Sequence, residues 1–188
     1  MHSVLLRALP YPEPDRLIAL VEQANLAAVN LLEYAFWKEH SSAFSSAAAH
    51  GGGGERNLVV GARREWIRTR FVSADFFRTL GVAPSAGREF TPEETRRGGP
   101  PAVILSDEAS RRVFSENESP LGRVVTLGDA NFTVVGVLPR GFWFIEPADA
   151  FLPLRPSGGT SDGGANYQMI ARLKPSNADR RRCSALEH

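Results

Sequence analysis

No apolar run in this chain lasts more than a few positions. The best of them, Leu17–Val21 and Thr133–Leu138, break off quickly, whereas a membrane-crossing helix needs about 20 mostly apolar residues. A core must therefore be gathered from many short strands and helices, and the pattern reads as α+β. The 17 glycines and 13 prolines punctuate these runs. With 43% hydrophobic residues in a length of 188, such a core needs neither disulfide nor metal. Cys183 is the sole cysteine, so no intrachain disulfide forms. Charge is nearly balanced, 22 basic against 21 acidic residues, which calls for no nucleic acid.

Along the chain, Arg16–Glu22 alternates weakly and suits a strand after Pro10, Pro12 and Pro14. Leu31–Phe44 places Leu32, Ala35, Phe36 and His40 at helical spacing, with Leu31, Tyr34 and Trp37 beside them. It predicts an amphipathic helix whose broad apolar face buries Trp37. Ser41–Ala49 is small and polar, Gly51–Gly54 reads as a flexible turn, and Asn57–Val72 as a hairpin broken near Ala62–Glu65 with Trp66 in the core. Ser73 is expected to cap a short helix through Asp75, Phe76, Phe77 and Leu80, which Gly81 ends.

From Ala86 the texture changes to short strands and turns. Thr91-Pro92-Glu93-Glu94 predicts a helix start. Ala102–Leu105 reads as a buried strand, and Ser106 as the cap of a helix over Asp107–Phe114. Gly122–Leu127 and Asn131–Val137 pair across Gly128-Asp129-Ala130. Ala150–Leu154 is another strand, and Ser157–Gly164 a loop before the last one, Tyr167–Leu173.

No residue pattern claims a catalytic role, a cofactor or a metal. Gly51–Gly54 lacks the Lys-Ser or Lys-Thr of a phosphate loop. His2, His40, His50 and His188 stand singly, without a paired Cys or carboxylate motif. Glu93 with Glu94, and Asp107 with Glu108, fit first-turn acids better than an acid/base pair. Arg63, Arg64, Arg68 and Arg70 lie in a strand pair that sends some of them to solvent, and Arg180–Arg182 lie in a polar tail. Phe142, Trp143 and Phe144 are harder to assign to packing alone. Three successive aromatics cannot all point inward from one strand, so this segment is the candidate interface.

Several ordered motifs carry a family resemblance. Phe71–Val82 (FVSADFFRTLGV) is followed by Gly87-Arg88-Glu89-Phe90-Thr91, then Ala102–Ala109 (AVILSDEA), then Phe132–Pro139 (FTVVGVLP); upstream lie Val4–Pro12 (VLLRALPYP) and Pro14–Leu17 (PDRL). Together they resemble the extracytoplasmic core domain of MacB-like, FtsX-like ABC transporter permeases, over roughly residues 4–175. The resemblance implies a non-catalytic, two-lobed domain on the periplasmic side of the bacterial inner membrane, between two membrane helices of the permease. Lobe one would comprise residues 4–84 with 166–175, and an inserted lobe two residues 86–157. It further implies that a cytoplasmic ATPase domain or subunit supplies the energy, that a periplasmic adaptor protein is a partner, and that the isolated domain is a monomer. The first residues, Met1–Ala8, read as no signal peptide, and 176–188 as a truncated or vector-derived tail. The rival readings are a small extracytoplasmic hydrolase or ligand-binding protein, and an inactive permease fragment.

Overall fold

The computed structural model of the chain describes residues 11–20, 30–115, 117–144, 147–155 and 167–175. Nine strands are described: β1 (Leu17–Leu20), β2 (Phe44–Val60), β3 (Arg63–Val72), β4 (Ala86–Gly87), β5 (Ala102–Leu105), β6 (Val124–Leu127), β7 (Ala130–Val137), β8 (Ala150–Pro153) and β9 (Tyr167–Leu173). They join in one mixed sheet of order β1-β9-β2-β3-β8-β5-β7-β4, with β6 beside β2 and β7. The pairs β3–β8 and β5–β7 are parallel; the others are antiparallel. Among the described residues three α-helices complete the α+β fold, α1 (Leu31–His40), α2 (Phe76–Leu80) and α3 (Asp107–Val113), with a 3-10 turn at Pro14–Arg16. No helix among the described residues is long and apolar enough to cross a membrane. The expected loop over Ser157–Gly164, Cys183 and the basic tail lie outside the described residues.

The last strand returns to the first. β9 lies between β1 and β2, with Arg172 opposite Leu17 and Leu173 opposite Phe44. Ala47–Ala49, read from sequence as part of a small polar stretch, are instead buried strand residues. Small side chains permit this strand to be covered on both faces. Ala48 and Ile170 join Phe76, Phe77 and Leu80 of α2 in one cluster, while Ala47, Met169 and Ala171 meet Tyr34 of α1 in another. Arg172 then fixes the junction. The residue is 9% exposed, and its guanidinium donates to the carbonyl oxygens of Thr79 at 2.9 Å, Leu80 at 3.1 Å and Pro12 at 2.9 Å. Two of these are orphan carbonyls from the end of α2, whose dipole favours a cation there.

The glycine run is a bulge, not a turn. β2 continues through it, and its register against β3 shifts between Gly51 and Gly54. Gly53 has φ +96°, and a Cβ on it would sit 2.0 Å from the Thr69 carbonyl oxygen. Close backbone approach, not flexibility, thus demands glycine. The turn itself comes at Gly61-Ala62. Before the bulge β2 pairs with β9, and beyond it with β6. One strand thereby reaches a second core, where Leu58 and Ile67 meet Val103, Leu105, Val125 and Leu127.

Other expectations fail for local reasons. α1 ends at His40, and Phe44 opens β2. The helix has a capping box that the pattern did not single out, with Asn30 and Glu33 exchanging side-chain and backbone bonds at 2.8 and 3.0 Å. Trp37 is exposed, because α1 turns Tyr34 toward β2 and leaves Phe36 and Trp37 outside. Trp66 is exposed because strand alternation buries its neighbour Ile67. Ser73 does not cap α2; its hydroxyl accepts from the Ala49 amide at 3.0 Å, and Asp75 holds the cap position. Thr91 and Glu94 do exchange capping-box bonds, but only turns follow. Gly98-Gly99 and Pro100-Pro101 cut the segment too short to nucleate a helix. Ser106 caps α3 as expected, accepting from the Ala109 amide at 3.1 Å, and Gly81 ends α2 at φ 74°.

Replacing Gly53 with Ala should lower unfolding free energy by roughly 2–3 kcal/mol in a urea titration, through backbone strain and the Thr69 clash. Gly61→Ala meets no atom at its site and should lose less, keeping only the left-handed penalty.

Candidate interface at the aromatic segment

β7 runs on through Leu138 into a turn over Pro139–Phe142, closed by the Phe142 amide donating to the Pro139 carbonyl at 3.0 Å, with Gly141 at φ 75°. The chain leaves this turn in irregular conformation, so its three aromatics part company. Phe144 is buried, edge-on to His50 at 4.8 Å and Phe76 at 5.1 Å between centroids. Phe142 is half-buried against Phe77 and Phe151 at 6.0 and 5.8 Å. Trp143 is 47% exposed. Its backbone carbonyl accepts a hydrogen bond from the Tyr11 hydroxyl, and burial pushes the Tyr11 pKa up to about 12.

The segment is therefore one exposed indole on two anchored rings. Beside Trp143 lies a shallow groove of about 360 Å³ lined by Tyr11, Pro12, Gly81–Ala83 and Pro139–Trp143. The end of α2 forms one wall and the incoming segment another. The Arg172 guanidinium holds both, through Leu80 and Pro12.

The remaining sequence candidates do not converge on a reaction centre. Glu94 is buried, and Arg88 grips it at 2.7 and 2.9 Å. Burial pushes its pKa up, but the bonds from Arg88 and the Thr91 amide prevail and hold it low, as a carboxylate. Asp107 pairs with Arg111 at 2.9 Å on α3. Among the strand arginines, Arg63 reaches the Val113 carbonyl and Ser115 at 2.9 and 2.8 Å, while Arg64 and Arg68 face outward. His40 stacks on Phe36 at 4.4 Å; His2 and His188 lie outside the described residues. Among the described residues, no three His, Cys, Asp or Glu are grouped to hold a metal.

His50 is a core histidine that its sequence setting does not reveal. It is 3% exposed between Phe76 and Phe144, and its Nδ1 meets no hydrogen-bond partner among the described residues. Burial, and secondarily the charge of Arg70, depress its pKa to about 4. The unfolded chain, with an ordinary value of 6.5, binds more protons between these limits. Stability should thus be full above about pH 6.5 and fall toward pH 4, by up to about 3 kcal/mol from this residue. Urea unfolding across that range checks it: His50→Leu should flatten the slope, and an unchanged slope would assign the acid sensitivity elsewhere.

Comparison with known proteins places this geometry. The family model described as "MacB-like periplasmic core domain" matches residues 6–180. A macrolide export ATP-binding/permease protein MacB from Chlorobium luteolum is 32% identical over 105 residues, covering 55% of this chain and 15% of that protein. The chain spans 12% to 19% of the length of the curated relatives it matches. Two solved structures share the fold. The extracellular domain of the ABC-type transporter YknZ from Gram-positive bacteria superposes with a TM-score of 0.64 at 19% identity, covering 88% of this chain and 86% of that one. The periplasmic region of MacB from Actinobacillus actinomycetemcomitans gives 0.61 at 18% identity, covering 87% and 75%. The chain belongs to the MacB-like periplasmic core domain family, the periplasmic part of inner-membrane ABC transporter permeases.

Proposed function

We propose that this domain is the moving extracytoplasmic part of a mechanotransmission-type permease and does no chemistry of its own. A cytoplasmic ATPase domain or subunit hydrolyses ATP. Its closure passes through membrane helices flanking the domain, which then moves against its counterpart or a periplasmic adaptor. The supporting observation is the fastening of the incoming segment to the outgoing strand. Arg172 of β9 holds the Pro12 carbonyl, Arg16 donates to the Leu173 carbonyl at 2.9 Å, and the Lys174 amide donates to Ala43 at 2.9 Å. A body gripped at two adjacent ends turns as a unit. We also retain the division into two lobes, with separate clusters around Phe76 and around Leu58 in its favour. Trp143 offers surface for outside contact, and Phe142 and Phe144 are its supports.

Spin labels on a cysteine replacing exposed Glu55, in the parent permease carrying Cys183→Ser, test the reading. The distance between protomers should shift by several ångströms between nucleotide-free and ATP-trapped states. An identical distance in both would contradict mechanotransmission.

A further inference from the structure

We infer that the face carrying Trp143 and Arg140 rests on the phospholipid headgroups of the membrane that anchors the permease. The inference rests on the permease reading above and names the partner of the exposed indole. Trp143 is a large apolar side chain left 47% exposed on a backbone held by Tyr11. Its groove is walled by Tyr11 and Pro12, the first described residues of the segment that would follow a membrane helix. Arg172 bonds Pro12 at 2.9 Å and stands opposite Leu17 in the sheet. The groove, residues 11–12 and the end of β9 therefore lie at the same end of the described structure. An indole and a guanidinium are side chains favoured at a membrane–water boundary, with the ring at headgroup level and the cation among phosphates. Arg140 is exposed beside Trp143, where a guanidinium can meet lipid phosphates; Lys174 is exposed just beyond β9, and Glu13 and Asp15 are exposed beyond Pro12. Two further indoles are exposed, Trp37 on α1 and Trp66 on β3, and Trp66 lies opposite Asn57 on β2. It is roughly 40 Å along the strand from Phe44, at about 3.3 Å per residue.

The single cysteine makes the test direct. The full chain, coupled through Cys183 to a maleimide lipid, is placed on vesicles of phosphatidylglycerol and brominated phosphatidylcholine. Fluorescence is read from variants that keep one tryptophan, with the others changed to Phe. Trp143 emission should shift to the blue and be quenched by bromine, Trp66 should show neither effect, and Arg140→Glu should relieve the quenching. Unquenched Trp143, or quenching equal to that of Trp66, would overturn the inference. So would protection of Trp143 that follows self-association in sedimentation, which would make the face a contact between copies. Because the tether brings the outgoing end to the bilayer, failure here would reject the lipid contact alone. The permease reading stands or falls on the nucleotide-dependent distance.

Discussion

One buried guanidinium holds the first and last described segments of this domain together. Arg172, next to last in β9, which lies between β1 and β2, meets the carbonyls of Thr79, Leu80 and Pro12. Burial, with the neighbouring charge of Arg16, lowers its pKa, yet a guanidinium remains charged in proteins. Hydrogen bonds to a charged group contribute about 1.5–3 kcal/mol each, and a buried carbonyl left without a donor costs about 1–3 kcal/mol. The same side chain therefore closes α2, orders the incoming segment and binds both to the outgoing strand. Placement of the Trp143 groove follows from it, since Pro12 and Gly81 line that groove.

Behind the groove the domain is built of rings. Phe76, Phe77 and Phe151 are fully buried and meet edge to face or tilted at 5.2 to 6.2 Å, with Phe142 and Phe144 closing the cluster. Such packing resists deformation. Glu94 is bonded to Arg88 and Asp149 to Arg112 at 2.8 Å, which leaves these acids occupied in holding loops. A stiff body whose first and last described segments are adjacent suits the moving part proposed above.

Much of the fold was legible because local chemistry and tertiary structure agreed. Ser106, Gly81, the hairpin across Gly128-Asp129-Ala130 and the buried run Ala102–Leu105 each have one favourable local answer, and each adopts it. The errors came where a long-range neighbour decided. Gly53 is set by the Thr69 carbonyl and Ser73 by the Ala49 amide, neither of which periodicity reveals. Trp37 and Trp66 were misplaced because their size suggested a core, while the face of each element was set by Tyr34 and Ile67. At the candidate interface, three successive aromatics cannot all turn inward, and that much is legible in the residues alone. Which ring stays out depended on the turn at Gly141 and on cavities offered by Phe76, Phe77 and His50. Arg172 gave no local signal, since one arginine in an apolar strand resembles an ordinary edge cation.

Arg172 should make the first and last described segments and α2 one mechanical unit. Native-state hydrogen exchange on Arg172→Met tests it most directly. Protection should fall in β1, in α2 and over residues 11–16, while β5, β6 and β7 keep theirs. Unchanged protection at β1 and α2, or an equal loss throughout the sheet, would contradict the claim.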